Sequence, residues 1–180
     1  GRKEYGGDST SVSLELSENV VSIIPSYYAF AALKNDGSVV TWGHKEYGGV
    51  KGIIINRSQY GVPTIEKFLS EGITQVISTF APFYGAFAAL SDTGRVITWG
   101  DSITGGDSSA VHDRSTEGVK KIYSNSYSFA ALKEDGSVFT WGLDQGGGNS
   151  KSVSSKLLDS VETIFSTRFA FAALKKDGSV

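Results

Sequence analysis

The sequence predicts an all-β fold built from tandem β-hairpin repeats. Four copies of the motif Phe-Ala-Ala-Leu recur at one phase, beginning at Phe30, Phe87, Phe129 and Phe171. Three tryptophans follow the motif at a second fixed phase, namely Trp42, Trp99 and Trp141. Successive copies lie 57, 42 and 42 residues apart, so the period is 42 residues and one repeat carries an insertion of 15. A fixed period of this length indicates one supersecondary unit per repeat, whose apolar faces are buried against neighbouring units.

We interpret residues 1–180 as a single repeat array. Repeat one spans 1–43 and repeat two spans 44–100, including the 15-residue insertion. Repeat three spans 101–142, and repeat four, which is truncated, spans 143–180. Both ends fall at the same phase of the repeat, so we expect these residues to be part of a longer array.

Each repeat contains three strand patterns. The first is an apolar, β-branched run, Val20 to Ile24 in repeat one, and its first and fourth positions are Val or Ile in every repeat. The second, Tyr28 to Lys34, is apolar on both faces, so we expect neighbouring layers to cover it on both sides. Asp36-Gly37, replaced by Thr93-Gly94 in repeat two, predicts a tight hairpin into the third strand. That strand ends at Trp42, and we expect its tryptophan to anchor the packing between adjacent sheets.

The composition excludes several classes of protein. The formal net charge is −2, which lacks the basic footprint of a domain that grips phosphate backbones, so we expect no direct nucleic-acid partner. No apolar run approaches the roughly 18 residues that a membrane-spanning helix needs. The chain contains no cysteine, which excludes disulfides and thiolate metal sites within these residues.

Asp8, Asp107 and Asn149 follow the glycine pairs of three repeats at one phase. Two interpretations are open for these side chains. They cap the backbone of the following turn, or they form a ring that binds a cation. The second repeat has Val50 at this phase, and the spacing lacks the regularity of calcium-binding β-rolls, so we favour capping.

The sequence predicts no catalytic residue, no cofactor site and no metal site. The two histidines, His44 and His112, occupy unrelated phases of the repeat, and we expect both to be surface loop residues. No phosphate-binding loop, zinc-ligand spacing or nucleophile elbow is present. We therefore expect this chain not to be an enzyme.

The insertion in repeat two is the one irregular feature of the array. Insertions in repeat proteins emerge as loops on one face, which is often the binding face. Five apolar side chains of this region would form a possible partner contact, namely Ile53, Ile55, Tyr60, Phe83 and Tyr84. The alternative is that this apolar set folds back over its own sheet. Deletion of residues 51–61 should spare folding and weaken binding if the contact exists.

The motif Phe-Ala-Ala-Leu-Lys-x-Asp-Gly-Ser-Val-x-Thr-Trp-Gly, followed by a Gly-Gly loop, resembles the repeat of the regulator of chromosome condensation (RCC1-like) family. The resemblance covers all four repeats. It implies a β-propeller in which each repeat forms one four-stranded blade, present here as four blades or as a segment of a larger ring. A β-solenoid of stacked hairpins is the alternative architecture.

The resemblance implies two functional classes, because the founding member of the family is a nucleotide exchange factor and a related propeller is a β-lactamase inhibitor. We expect a non-catalytic protein-interaction scaffold, or an accessory subunit of a larger complex, that binds one or more proteins through the propeller loops. The alternatives are an exchange-type regulator of a small GTPase and an adhesive cell-surface repeat. Closure of the ring would need further repeats, self-association or a partner surface, since open sheet edges invite pairing.

Overall fold

The computed structural model describes residues 1–49, 65–115 and 117–180. In these ranges the strands form four antiparallel sheets in sequence order. The first sheet contains β1 (Val20–Pro25), β2 (Ala29–Lys34) and β3 (Val39–Gly43), and the second contains β4 (Ile73–Ser78), β5 (Ala86–Ser91) and β6 (Val96–Gly100). The third contains β7 (Val119–Ser124), β8 (Ser128–Lys133) and β9 (Val138–Gly142), and the fourth contains β10 (Val161–Ser166) and β11 (Phe171–Lys175).

Short helical turns connect the sheets. The α-helical turns are α1 (Ile65–Phe68) and α2 (His112–Ser115). The 3₁₀ turns are Lys3–Tyr5, Thr10–Val12, Lys45–Tyr47, Ser109–Val111, Asp144–Gly146 and Lys151–Lys156, and Ser102–Gly106 forms an irregular turn. None of the described helices is long and apolar enough to cross a membrane.

The predicted strands and hairpins are confirmed, with bounds that differ by a single residue. Each complete sheet contains three strands in the described residues, whereas the resemblance implied four. A short 3₁₀ turn, Lys45–Tyr47, follows β3, and Gly48 ends it with a φ of 93°, in the left-handed region.

A bulge near the start of every first strand explains the spacing of its Val and Ile residues. The pairing register shifts between Ile73 and Gln75 in β4, and the same shift occurs in β1, β7 and β10. Residues three apart in a regular strand face opposite sides, but the extra residue of a bulge restores them to one side. Ile73 and Val76 are consequently both buried.

The hairpins also join neighbouring sheets. The carbonyl of Gly37 accepts a hydrogen bond of 3.0 Å from the amide of Ile73, the first residue of the next sheet. Gly94 and Gly136 accept the equivalent bonds from Val119 and Val161 at 3.0 and 3.1 Å. Each Asp-Gly or Thr-Gly turn therefore fixes the position of the following sheet.

The prediction that tryptophans anchor adjacent sheets is confirmed by the hydrophobic core. Trp99 of the second sheet packs in one cluster with Ala31 and Val39 of the first. Trp141 packs in the same way with Ala88 of the second sheet. Trp42 packs with residues of its own repeat, among them Val12, Leu16 and Phe30.

The four sheets are separate, side-by-side units, because each forms hydrogen-bonded ladders only among strands of its own repeat. In a β-solenoid the strands of successive repeats would pair into continuous sheets. First strands of neighbouring sheets lie in contact, and the side chain of Gln75 in β4 bonds both the amide and the carbonyl of Ile122 in β7. The chain is thus an all-β propeller segment, with one sheet as each blade.

Candidate protein-interaction surface

The loops between first and second strands lie at the end of each blade opposite the Asp-Gly hairpins. In the first blade, the Ser26 hydroxyl accepts a hydrogen bond from the Ala29 amide at 3.2 Å, which closes a tight loop. Tyr27 and Tyr28 occupy the tip of that loop. A serine cap therefore places two adjacent tyrosines at the end of the blade.

The corresponding loop of the second blade is longer and more exposed. The Thr79 hydroxyl accepts from the Ala86 amide at 3.0 Å and closes the loop as Ser26 does in the first blade. A Cβ added at Gly85 would lie 2.9 Å from the Ser26 hydroxyl, so the two loops pack closely together. In this longer loop Phe80, Phe83 and Tyr84 are exposed, whereas Ala81 is buried.

Aromatic side chains from both loops and from two 3₁₀ turns form one continuous patch. We call it the aromatic surface, and its members are Tyr5, Tyr27, Tyr28, His44, Tyr47, Phe80, Phe83 and Tyr84. Tyr5 and Tyr28 lie 4.4 Å apart between ring centroids, and Tyr27 and Tyr28 lie 4.7 Å apart. Tyr47 extends the patch from Tyr28 at 5.0 Å.

The outer part of the aromatic surface comes from the second blade. Phe80 and Phe83 each lie 5.8 Å from the ring of Tyr27. They are 52% and 65% exposed, although Ala81 between them is fully buried. Ala81 therefore anchors the loop to the core, while the larger side chains of Phe80 and Phe83 face solvent.

The backbone of Phe83 adopts a φ of 67°, in the left-handed region. A bulky residue rarely adopts this conformation, because its Cβ approaches the following carbonyl too closely. The amide of Tyr84 donates to the carbonyl of Ala81 at 3.1 Å, which closes the turn around Phe83. The loop holds Phe83 outward in a strained conformation, a feature that clusters at functional sites.

Two tyrosines of the aromatic surface, Tyr28 and Tyr47, have a raised pKa. Partial burial raises the pKa of Tyr28, and the hydroxyls of Tyr5, Tyr27 and Tyr47 raise it further. Burial also raises the pKa of Tyr47, with smaller contributions from the carboxylates of Asp101 and Glu46. The phenols of Tyr28 and Tyr47 therefore remain neutral hydrogen-bonding groups on the same surface as the exposed rings of Phe80 and Phe83.

Two of the five predicted contact residues fall in the described part of the chain. Phe83 and Tyr84 are exposed on the aromatic surface, so they do not fold back over the core of their sheet. Ile53, Ile55 and Tyr60 lie outside the described residues. The involvement of all five in a partner contact stays a prediction.

Sequence reasoning missed Tyr5, Tyr27, Tyr28 and Tyr47, although a signal for two of them was present. The sequence Lys-Glu-Tyr-Gly-Gly occurs twice, at residues 3–7 and 45–49, and so places Tyr5 and Tyr47 at one phase of the repeat. The third and fourth repeats have Thr104 and Gly146 there. The aromatic surface is consequently concentrated on the first two blades.

The polar loop residues serve the backbone. Asp8 accepts from the Thr10 amide at 3.0 Å, Asp107 from the Ser109 amide at 2.8 Å, and Asn149 from the Lys151 amide at 3.1 Å. The capping interpretation is therefore confirmed. Among the described residues, no group of three or more His, Asp or Glu side chains is arranged to hold a metal ion.

The two histidines lie in different parts of the chain. His44 belongs to the aromatic surface, where its Nδ1 accepts from the Glu46 amide at 3.4 Å and caps the turn Lys45–Tyr47. His112 begins α2 and is exposed.

Comparison with solved structures supports the propeller fold. The chain is similar to Prp20 from Saccharomyces cerevisiae, with 19% identity over 88% of this chain and 43% of Prp20, at a TM-score of 0.54. A structure of Kap60 bound to Prp20, described as yeast RCC1, gives 20% identity over 88% of this chain and 42% of that one, at 0.53. The ectodomain of the receptor kinase CR4 from Physcomitrella patens gives 16% identity over 88% and 39%, at 0.52.

These likenesses establish an RCC1-like β-propeller fold. The chain spans about two fifths of the length of each of these structures. No protein-family model matches the sequence. No curated protein matches it either.

Proposed function

We propose that this chain is a non-catalytic, protein-binding propeller module that contacts its partner through the aromatic surface. The observation that carries the proposal is the outward placement of Phe80 and Phe83 in a loop that maintains a strained backbone to present them. Aromatic side chains, tyrosine among them, are enriched at the centres of protein interfaces. A cluster of such rings that is exposed in the free chain is therefore a surface that a partner would bury on binding. The insertion residues Ile53, Ile55 and Tyr60 belong to the same contact in this proposal.

Two neighbouring structures support a binding role. Prp20 is described as bound to Kap60 in one structure, and its binding to Gsp1p and histones is the subject of another. We extend protein binding to this chain as a class, as a scaffold or an accessory subunit of a larger complex. We also propose that the array of four repeats, with bounds 1–43, 44–100, 101–142 and 143–180, belongs to the regulator of chromosome condensation repeat family.

An affinity-capture comparison tests the proposed contact. The immobilised chain and its Phe80→Ser/Phe83→Ser variant are each incubated with extract of the source organism, and bound proteins are quantified by mass spectrometry. We expect the variant to lose the specific partner. A Phe165→Ser variant is the matched control, since Phe165 is 59% exposed but lies in β10, outside the aromatic surface.

The control must retain the partner. Loss of the partner from both variants, or retention by both, would remove the aromatic surface as the contact. Circular dichroism of each variant shows that the fold is intact before capture is compared.

The likeness to Prp20 favours one second candidate function, an exchange-type regulator of a small GTPase. A nucleotide-release assay with a fluorescent GDP analogue separates the two candidates. If the chain is only a binding module, it should leave the rate of GDP release unchanged. Faster release in its presence would show that it is an exchange factor.

A further inference from the structure

Tyr28 is the centre of the tyrosine contacts on the first blade. Between ring centroids it lies 4.4 Å from Tyr5, 4.7 Å from Tyr27 and 5.0 Å from Tyr47. Every ring contact between two tyrosines in the described part of the chain includes Tyr28. One phenol is thus in contact with three others.

The backbone fixes the positions of Tyr5 and Tyr28. The turn that ends at Tyr5 is bonded to the first blade, because the Trp42 indole donates to the carbonyl of Gly6 at 3.2 Å. The carbonyl of Tyr28 accepts a hydrogen bond of 2.9 Å from the amide of His44. Both tyrosines are therefore attached near the end of β3, and their rings are held together, an arrangement that favours reaction within one molecule.

The chemistry of phenols gives this short separation a consequence. Removal of one electron and one proton from a phenol leaves a phenoxyl radical, whose unpaired electron is shared with the Cε atoms of the ring. Two such radicals couple by forming a Cε–Cε bond, and the hydrogen atoms of these two carbons then move to the oxygens and restore both phenols. Rings joined by a carbon–carbon bond of about 1.5 Å have centroids about 4 Å apart.

Tyr5 is the neighbour of Tyr28 that is best placed for this reaction. Their centroid separation of 4.4 Å is close to that of coupled rings, and the rings are inclined by only 36°. The ring of Tyr27 stands at 88° to that of Tyr28, and the ring of Tyr47 is farther away, at 5.0 Å. The pair of Tyr5 and Tyr28 therefore needs the least movement to couple.

Small oxidants reach this cluster from solvent. Tyr5 and Tyr28 are half-buried, and Tyr27 is 37% exposed. Because the ring of Tyr27 contacts that of Tyr28, an electron removed from Tyr27 can be replaced by one from Tyr28. Oxidation at the exposed ring therefore also leads to a radical on Tyr28.

We propose that Tyr5 and Tyr28 form a dityrosine modification site, in which hydrogen peroxide and a haem peroxidase join their Cε atoms by one covalent bond. The two phenols together lose two electrons and two protons, and the peroxide accepts them and is reduced to two molecules of water. The bond links the turn Lys3–Tyr5 to the loop between β1 and β2. It requires no partner protein, so the inference goes beyond the proposed function and is tested separately from it.

Peroxidase treatment of the purified chain tests the proposal. The chain is kept dilute to limit coupling between molecules and is incubated with a haem peroxidase and a stoichiometric amount of hydrogen peroxide. We expect the monomer to acquire dityrosine fluorescence and to lose the mass of two hydrogen atoms. A monomer without these changes, or dityrosine in covalent dimers alone, would overturn the proposal.

Peptide mapping locates the bond. A glutamate-specific protease cleaves after Glu15 and Glu18, which separates Tyr5 from Tyr28, and cleavage after Glu46 puts Tyr47 on a third peptide. In the modified monomer, the peptide that contains Tyr5 should remain joined to the peptide that contains Tyr28. Joining of either peptide to that of Tyr47 in their place would contradict the assignment.

Two adjacent tyrosines provide a matched pair of variants. Tyr28→Phe should lose the joined peptides, because phenylalanine has no hydroxyl from which a phenoxyl radical can form, whereas Tyr27→Phe should retain them. Tyr5→Phe should lose them as well. Each variant keeps its ring, so the packing of the loop is preserved. Retention of the joined peptides by Tyr28→Phe, or equal losses in Tyr27→Phe and Tyr28→Phe, would show that a different pair couples.

Discussion

The indole N–H of Trp99 donates to the backbone carbonyl of Gly48, 51 residues earlier in the chain, at 3.2 Å. Trp141 and Trp42 make equivalent bonds to Gly105 and Gly6, each across 36 residues. Trp99 and Trp141 thus each join the third strand of a blade to the glycine turn before that blade and also fill the interface with the preceding sheet. The recurrence of tryptophan and glycine at fixed phases follows from this double contact.

Replacement of these tryptophans should destabilise the chain to different degrees. Trp99→Ala removes a fully enclosed ring between two blades and should lower the free energy of unfolding by about 3–5 kcal/mol. Trp42→Ala should cost less, because Trp42 packs with residues of its own repeat. Urea denaturation of both variants measures the order, and an equal or greater loss for Trp42→Ala would contradict the packing described here. Trp99→Phe, which retains most of the ring but removes the N–H donor, should cost at least about 1 kcal/mol.

Glycine at the turn before each blade is required by space as well as by backbone conformation. Gly48 has a φ of 93°, and a Cβ there would lie 2.6 Å from the ring of Phe87. Gly118 has a φ of 70°, also in the left-handed region, but an added Cβ there would approach only the end of the Lys133 side chain, at 3.4 Å from its Cε. Gly48→Ala should therefore lower the melting temperature much more than Gly118→Ala, which carries only the backbone strain of about 1–2 kcal/mol. Similar losses for the two variants would show that the Phe87 ring does not limit this position.

The hairpin aspartates should make stability depend on pH at the acidic end. A hydrogen bond from the Ser38 side chain lowers the pKa of Asp36, and Ser137 does the same for Asp135. At Asp177 the largest cause of the lowered pKa is the hydrogen bond from the Ser179 amide. Because the folded-state pKa is below the unfolded value, the stabilisation is complete above the unfolded pKa and disappears as pH falls through the folded one.

Asparagine substitutions test this pH dependence. Asp36→Asn should flatten the fall in melting temperature below about pH 4, since the usual pKa of an aspartate is about 3.9. In the second blade Thr93 stands at the phase of Asp36. There the Ser91 hydroxyl accepts from the Arg95 amide at 3.1 Å, the hydrogen bond that the aspartate accepts in the first blade. Ser91→Ala should therefore destabilise the hairpin equally at pH 3 and pH 7, and a pH-dependent effect would show that a carboxylate acts there.

Relief of the backbone strain at Phe83 should raise the stability of the chain and weaken its binding to the partner. Phe83→Gly permits the φ of 67° without steric cost and should raise the free energy of unfolding by up to about 1 kcal/mol. The same change removes a ring from the aromatic surface and should weaken partner binding. Thermal denaturation measures the first effect, and a decrease in stability would show that Phe83 packs against its surroundings more than its exposure indicates.

The repeated parts of the fold could be predicted because the same or similar residues recur at one phase in three or four repeats. The strands, the Asp-Gly hairpins and the role of Trp99 all follow from this recurrence. The bulge in β4 was signalled by the odd spacing of Ile73 and Val76, which fits no regular strand. The second-blade hairpin has Thr93 in place of the aspartate before its glycine, and it keeps its shape because Ser91 supplies an alternative acceptor.

The aromatic surface was only partly predictable. Phe83 and Tyr84 were visible because they belong to the insertion, but Tyr27 and Phe80 come together only when two loops of different length pack side by side. Their contact depends on the closeness of Gly85 to Ser26. No periodic pattern encodes a contact between non-equivalent positions of neighbouring repeats.

Site-specific photo-cross-linking at position 83 tests the central claim most directly. A benzophenone side chain replaces Phe83 in the chain expressed in its source organism, and the matched control carries the same group at Phe165. The aromatic surface predicts a discrete cross-linked partner from position 83 and none from position 165. A cross-link from position 165 alone would contradict this account, as would the absence of any cross-link at position 83.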